Sequence, residues 1–414
     1  MKQFSFLALV VWSFTSPTFS QSWVQKQSLP SPNLGRNHPV TFALEDKGYL
    51  LTGGNYAVSN YFNDFHSYDP STDTWTQLAD FPGGARSFAV GLAAAGKGYI
   101  GFGDNVAGEF LNDLWEYSPQ TGEWKQLASC PCLGRAHPAF VEVGGKIYVG
   151  MGNNASNLKD FWAYDIATDT WEQKADLPAQ ERHHPFYFSL GDYAYVGFGH
   201  GNAMVAGWVV YNDFYRYDPA NDTWTALENF PGEARVAGTQ FSYNGKGYVL
   251  HGEGQDHFYL DEGELWEYDP VTETWTQLPS MPGGGRWAPG TFVIGDVAYS
   301  VCGTVIIPDF EEKSDLWAYN FPVISTVKDE VGEDEELVVS PNPVSNILNI
   351  KLRDESLQTS RMPKIEVFSS NGQLLFHTAN SWEDGIDVSH LATGLYWIRA
   401  NDGLNSFSAK FVKD

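Results

Sequence analysis

The stretch Tyr68-Asp69-Pro70-Ser71-Thr72-Asp73-Thr74-Trp75 decides the architecture, because its two aromatic ends recur at the same spacing along the chain. Tyr117–Trp124, Tyr164–Trp171, Tyr217–Trp224 and Tyr268–Trp275 repeat it, with Asp-Pro or a close variant after the tyrosine. A sixth unit, Asp315-Leu316-Trp317-Ala318-Tyr319, keeps the tyrosine but has no tryptophan at that spacing. The missing piece stands at the other end, in Trp23-Val24-Gln25-Lys26-Gln27-Ser28-Leu29-Pro30. The pattern predicts a ring completed by its own N-terminus.

Other marks repeat in register with the aromatics. An arginine follows each Pro/Gly-rich turn: Arg36, Arg86, Arg135, Arg182, Arg235 and Arg286. An apolar run comes next, then a turn such as Gly96-Lys97-Gly98, then a second run beginning at Tyr49, Tyr99, Tyr148, Tyr195, Tyr248 or Tyr299. That run reaches Gly53, Gly103, Gly152, Gly199, Gly252 or Gly303. A loop of variable length follows, and an acid opens the third run: Asp64, Asp113, Asp160, Asp213, Glu264 or Asp315. Short aromatic and β-branched runs between Gly, Asn, Asp and Pro predict strands and turns. Four of them every ~50 residues is the period of a propeller blade, which buries too little alone and packs against its neighbours.

These residues resemble the kelch repeat family, whose blades carry a glycine pair after the second strand and a spaced Tyr and Trp. Gly53-Gly54 shows the pair intact, and later units depart from it, as in His251-Gly252 and Cys302-Gly303. The resemblance implies an all-β fold: a six-bladed kelch β-propeller over residues 21–324, closed by an N-terminal strand.

Residues 1–20 read as a signal peptide, with Met1-Lys2 before the apolar run Phe4–Phe14 and a small-residue end at Thr18-Phe19-Ser20. The 51 acidic and 25 basic residues of the 414-residue chain leave a formal charge of −26, which argues against nucleic-acid binding. No transmembrane segment is expected in the mature chain. Cysteine is sparse: Cys130, Cys132 and Cys302. Spacing leaves Cys130 and Cys132 as small unbridged residues by default, with a local disulfide as the alternative.

Residues 325–338 form an acidic linker, and residues 339–414 a set of β-like runs suited to a small β-sandwich. The marks Ser340-Pro341-Asn342-Pro343, Leu348-Asn349-Ile350, Asn371-Gly372-Gln373 and Gly394-Leu395-Tyr396 are similar to the C-terminal sorting domain of the type IX secretion system of Bacteroidota. That resemblance implies secretion or display on the outer cell surface, with the type IX machinery as partner. It also implies release after tail removal, or attachment to surface lipopolysaccharide.

For the ring, the expectation is recognition of an extracellular glycan or protein. Recurrence in every unit favours a repeated structural job for the six arginines, such as pairing with local acids, with a cationic mouth for carboxylates as the alternative. The arginines stand as ligand-binding candidates together with Trp208, His257 and Tyr259 in the long loops. The histidines His183, His184, His200, His251 and His257 lack recognised ligand spacing, so neither a metal nor another cofactor is expected. No catalytic residue is assigned. The enzyme alternative resembles sialic acid mutarotases or galactose-oxidase-like propellers, with Arg182 beside Glu181 and Arg235 beside Glu233 as acid–base candidates. A structural envelope scaffold is the third reading.

Overall fold

A computed structural model describes residues 23–30, 35–58, 60–201, 209–255, 260, 262–305, 310–321, 337–352, 364–369, 374–379, 385–391, 394–401 and 406–413. The leader at 1–20 and residues 325–336 of the linker lie outside the described residues. The fold is all-β, with six four-stranded antiparallel sheets of the kelch-blade type. In the first, Val40–Leu44, Lys47–Leu51, Phe65–Asp69 and Thr74–Gln77 pair in chain order. The sixth takes three strands from its own repeat, Gly290–Ile294, Val297–Val301 and Leu316–Asn320, and its fourth from Trp23–Lys26. The first strand of each sheet lies against the first strand of the next, and Val40–Leu44 touches both Val90–Ala94 and Gly290–Ile294.

The recurrent spacing has a direct structural cause. It sets tyrosine and tryptophan opposite each other across the third and fourth strands, Tyr68 facing Trp75 and Tyr217 facing Trp224. Their ring centroids lie 5.1 and 4.9 Å apart, within the range where offset aromatic pairs are attractive. In the sixth sheet Trp23 faces Tyr319 at 5.0 Å, so the N-terminal tryptophan takes the place that the repeat leaves vacant.

The turn between those strands staples neighbouring sheets. Asp73 accepts the Tyr68 hydroxyl (2.7 Å) and the Gln27 amide (2.9 Å), and Trp75 donates to the Gln27 carbonyl (2.8 Å). Gln27 follows the outer strand of the sixth sheet. Asp169 with Trp171 holds Ala128 in the same way, and Asp222 with Trp224 holds Ala175. One aspartate and one tryptophan thus capture both backbone groups of a single residue next door.

At the other end of the sheets a glycine does equivalent work. Gly53, Gly103, Gly152, Gly199, Gly252 and Gly303 all have positive φ, between 84° and 113°. Each donates its amide to the carbonyl of the following repeat's arginine, from Gly53 to Arg86 (3.0 Å) through to Gly303 to Arg36 (2.8 Å). A Cβ at Gly103 would collide with the Ser87 carbonyl oxygen. The preceding residue sits at φ 57–65°, which side chains tolerate better, and there the chain uses Thr52, Phe102, Met151, Phe198, His251 and Cys302.

Cys130 and Cys132 form a disulfide, against the default expectation. The turn ahead of Arg135 brings their Cα atoms to 5.1 Å, inside the bridging range, and Asn112 donates to the Cys130 carbonyl at 2.8 Å. Beyond the linker, one sheet of three strands and another of four enclose a separate core of Leu337, Val344, Leu348, Ile365, Val367, Ile398 and Phe411. Pro341, Asn342 and Pro343 precede the strand Ile347–Leu352, and Gly394-Leu395-Tyr396 open the strand Gly394–Asn401. Asn371 and Gly372 lie outside the described residues.

Candidate functional site

The six arginines are buried, each at most 1 % exposed, and each is committed to its own repeat. Arg36 grips Asp64 with both terminal nitrogens (2.6 and 2.8 Å) and also donates to the Thr52 carbonyl. Arg86–Asp113, Arg135–Asp160, Arg182–Asp213 and Arg286–Asp315 have the same two-pronged geometry. The acid is shared, because Trp115, Trp162 and Trp317 donate their indole N–H to it and His66 does so in the first sheet. The fifth repeat differs. Its longer acid, Glu264, takes one bond from Arg235 Nη2, and Arg235 Nη1 is left buried without a partner. No guanidinium in this ring faces solvent, so a cationic mouth does not form. The pairs of Arg182 with Glu181 and Arg235 with Glu233 do not form as salt bridges either, since the arginines pair with Asp213 and Glu264.

This arrangement makes the fold sensitive to acid. Burial disfavours ionisation of Asp64, but hydrogen bonds from Arg36 and His66 override it and hold the carboxyl well below its usual range. Asp160, Asp315 and Glu264 are lowered by the same balance of burial against arginine. Their native values lie below the unfolded ones, so the stabilisation is complete above the ordinary carboxyl range near pH 4 and is lost as pH falls through the native values. Urea midpoints should decline from pH 7 to 5, because the unfolded chain takes up protons that buried neutral histidines such as His251 do not, and then fall steeply toward pH 3.

Two residues beyond each arginine the chain reaches the axis. His38, Phe88, His137, His184, Ala237 and Ala288 occupy this position, all with φ between 48° and 57°. Backbone bonds link them sideways: His38 to Ala288 (2.8 Å), His137 to Phe88 (3.1 Å), His184 to His137 (3.2 Å) and Ala288 to Ala237 (2.7 Å). The six residues form one end of a cavity of about 320 Å³ that runs between the first strands. Thr41, Glu142, Ser189 and Thr291 line its length.

The residues just outside this ring form a cup on the arginine end. Tyr56, 40 % exposed, lies 6.0 Å from the ring of Trp287, which stands edge-on over His38 at 4.6 Å. Glu312 accepts from Asn37 and Thr304 and from the Tyr56 amide, and burial raises its carboxyl above the usual value. Burial pushes the Asp104 carboxyl up to about 6, an effect the nearby Tyr61 hydroxyl only partly offsets. His183 and His200 pair through their backbones nearby. His251 is buried away from the cup beside Ser300. Trp208, His257 and Tyr259 lie outside the described residues.

Sequence reading missed His38, His137, Tyr56 and Trp287. A signal for the first two exists: Arg36-Asn37-His38-Pro39, Arg135-Ala136-His137-Pro138 and Arg182-His183-His184-Pro185 share Arg-x-His-Pro in three of the six repeats. Tyr56 and Trp287 carry no repeat signature.

Stacked four-stranded sheets with stapled edges define a β-propeller. The chain belongs to the kelch-repeat family: the model described as KLHDC2/KLHL20/DRC7 Kelch-repeats domain matches residues 8–199 and 135–303. A second, the Secretion system C-terminal sorting domain, matches residues 338–414. This is a secreted or cell-surface protein carrying a type IX sorting domain. No helix among the described residues is long and apolar enough to cross a membrane. No curated protein matches the chain.

Proposed function

We propose that residues 21–324 close into a six-bladed ring that recognises an extracellular glycan, with residues 339–414 serving as its export address after an N-terminal leader directs the chain out of the cytoplasm. Support for closure comes from the pairing of Trp23–Lys26 with Leu316–Asn320 and from the Gly303–Arg36 bond. One observation carries the recognition reading: the exposed Tyr56 ring and the half-buried Trp287 ring stand beside Glu312 and Asn37 at the mouth of the axis. Flat aromatic faces next to amide and carboxylate groups suit a sugar ring, whose C–H face packs on the aromatic while its hydroxyls find polar partners.

The test applies the full exported chain to a glycan array and follows hits by titration calorimetry. Saturable binding is expected, and Trp287→Ala should weaken it roughly tenfold or more, the value of losing an aromatic contact. Binding that is absent, or indifferent to both Trp287→Ala and Tyr56→Ala, would turn the search to protein partners of the envelope. A carbohydrate-active enzyme is the second reading. It draws on Asp104, whose carboxyl near 6 suits proton transfer at neutral pH. Release of a changed sugar, abolished by Asp104→Asn, would select it.

A further inference from the structure

The geometry points to a divalent transition-metal site of the zinc class on the propeller axis, held by the imidazoles of His38, His137 and His184 from the first, third and fourth blades. Their candidate ligand nitrogens all lie within 4.8 Å of one another, and His38 Nε2 is 2.8 Å from His184 Nε2. Three nitrogens about 2.0–2.1 Å from a tetrahedral ion stand about 3.3 Å apart, so small ring rotations bring this set into coordination.

The fold does not require histidine here. Phe88, Ala237 and Ala288 occupy the same position in the other blades, with the same positive φ. Ala288 and Ala237 also make the same sideways backbone bond. Three imidazoles at one station of a repeat that is otherwise served by phenylalanine and alanine therefore call for a reason of their own.

Hydrogen bonding within the cluster supplies only part of one. A shared proton accounts for the contact between His38 and His184. Both ring nitrogens of His137, however, are buried and without a partner, although its ring centroid is 3.4 Å from that of His184. A buried nitrogen without a partner leaves its loss of water uncompensated. A cation among the three rings would satisfy it.

The surroundings prepare His38 as a ligand. Asn37 Nδ2 donates to the Glu312 carboxylate at 2.9 Å, which turns Asn37 Oδ1 toward His38 Nδ1 at 2.8 Å. That oxygen accepts only, so Nδ1 carries the proton and Nε2 presents its lone pair to the cluster. Burial first, then neighbouring imidazoles, lower the pKa values of all three rings, keeping them neutral as ligation requires. A set of three histidines leaves a coordination position for water or a small donor from the axial cavity, as in open zinc sites. Imidazole ligands favour zinc, copper, nickel or cobalt over calcium and magnesium, which take oxygen.

Titration of the full exported chain, stripped with chelator, with Zn²⁺ and separately with Ca²⁺ tests the site. One Zn²⁺ per chain at micromolar affinity or tighter is expected, with no calorimetric response to Ca²⁺. His137→Ala should weaken Zn²⁺ binding at least a hundredfold, while His377→Ala, an exposed histidine of the tail, leaves it unchanged. Because alanine holds the same backbone position in two blades, His137→Ala should melt like the metal-free parent and gain nothing from added Zn²⁺. A parent that takes up no Zn²⁺, or uptake equal in His137→Ala, overturns the site.

Discussion

Arg86→Ala is expected to destabilise the propeller by about 3–5 kcal/mol, the usual cost of removing one partner of a buried ion pair. The guanidinium makes four hydrogen bonds: two to Asp113, one to the Phe102 carbonyl and one to the Gly83 carbonyl. It also packs over the Phe81 ring at 5.1 Å. Alanine would leave the Asp113 carboxylate in a poorly solvated site with only the Trp115 indole as a strong donor. A melting temperature lower by roughly 5–10 °C should report the loss. Replacing both partners, as Arg86→Met with Asp113→Leu, should recover most of it, because an apolar pair avoids the desolvation that the ion pair suffers. If the single variant melted like the parent, the arginines would not be the struts described here.

Trp23→Ala should cost a comparable 3–5 kcal/mol, through a different route. The indole is 3 % exposed, packs on Tyr319 and shares a core with Phe241, Tyr248, Leu265, Met281 and Phe321. Its N–H donates to the Pro279 carbonyl of the fifth repeat at 2.8 Å. Weakening this strand bares the edge of Leu316–Asn320, whose unpaired backbone groups invite pairing with another chain. Hydrogen exchange should therefore show lost protection concentrated in 316–320, together with a new tendency to associate. Val24→Ala, at an exposed neighbouring position, should change stability by less than about 0.5 kcal/mol. Equal effects at the two positions would mean that the tryptophan does not anchor the strand.

The Tyr–Trp spacing was legible because a register across two adjacent strands is local, and local geometry is written in residue intervals. The completion by Trp23 was legible for the same reason, as a gap in a counted pattern. The arginine and the acid were each visible as marks, and recurrence favours a structural role, but their pairing spans a whole hairpin, so residue intervals alone do not match each guanidinium to its acid. An extended strand would turn His183 and His184 to opposite faces, but His184 has a left-handed backbone and the two rings lie 5.1 Å apart, which strand alternation does not describe. What brings His38 and His137 to it is the rotation from blade to blade, and no short motif encodes that. The Cys130–Cys132 bridge depends on one turn conformation that spacing alone does not select.

The pairing of Trp23 with Tyr319 also sets an order in time. The strand Trp23–Lys26 leaves the ribosome long before its partner Leu316–Asn320, so no length of nascent chain short of residue 320 can complete the sixth sheet. Contacts so distant in sequence form slowly and leave an edge exposed while they wait. The same delay keeps the chain threadable until almost all of it has been delivered. The sorting domain at 338–414 follows immediately, so the address is complete only after the body it labels is able to lock.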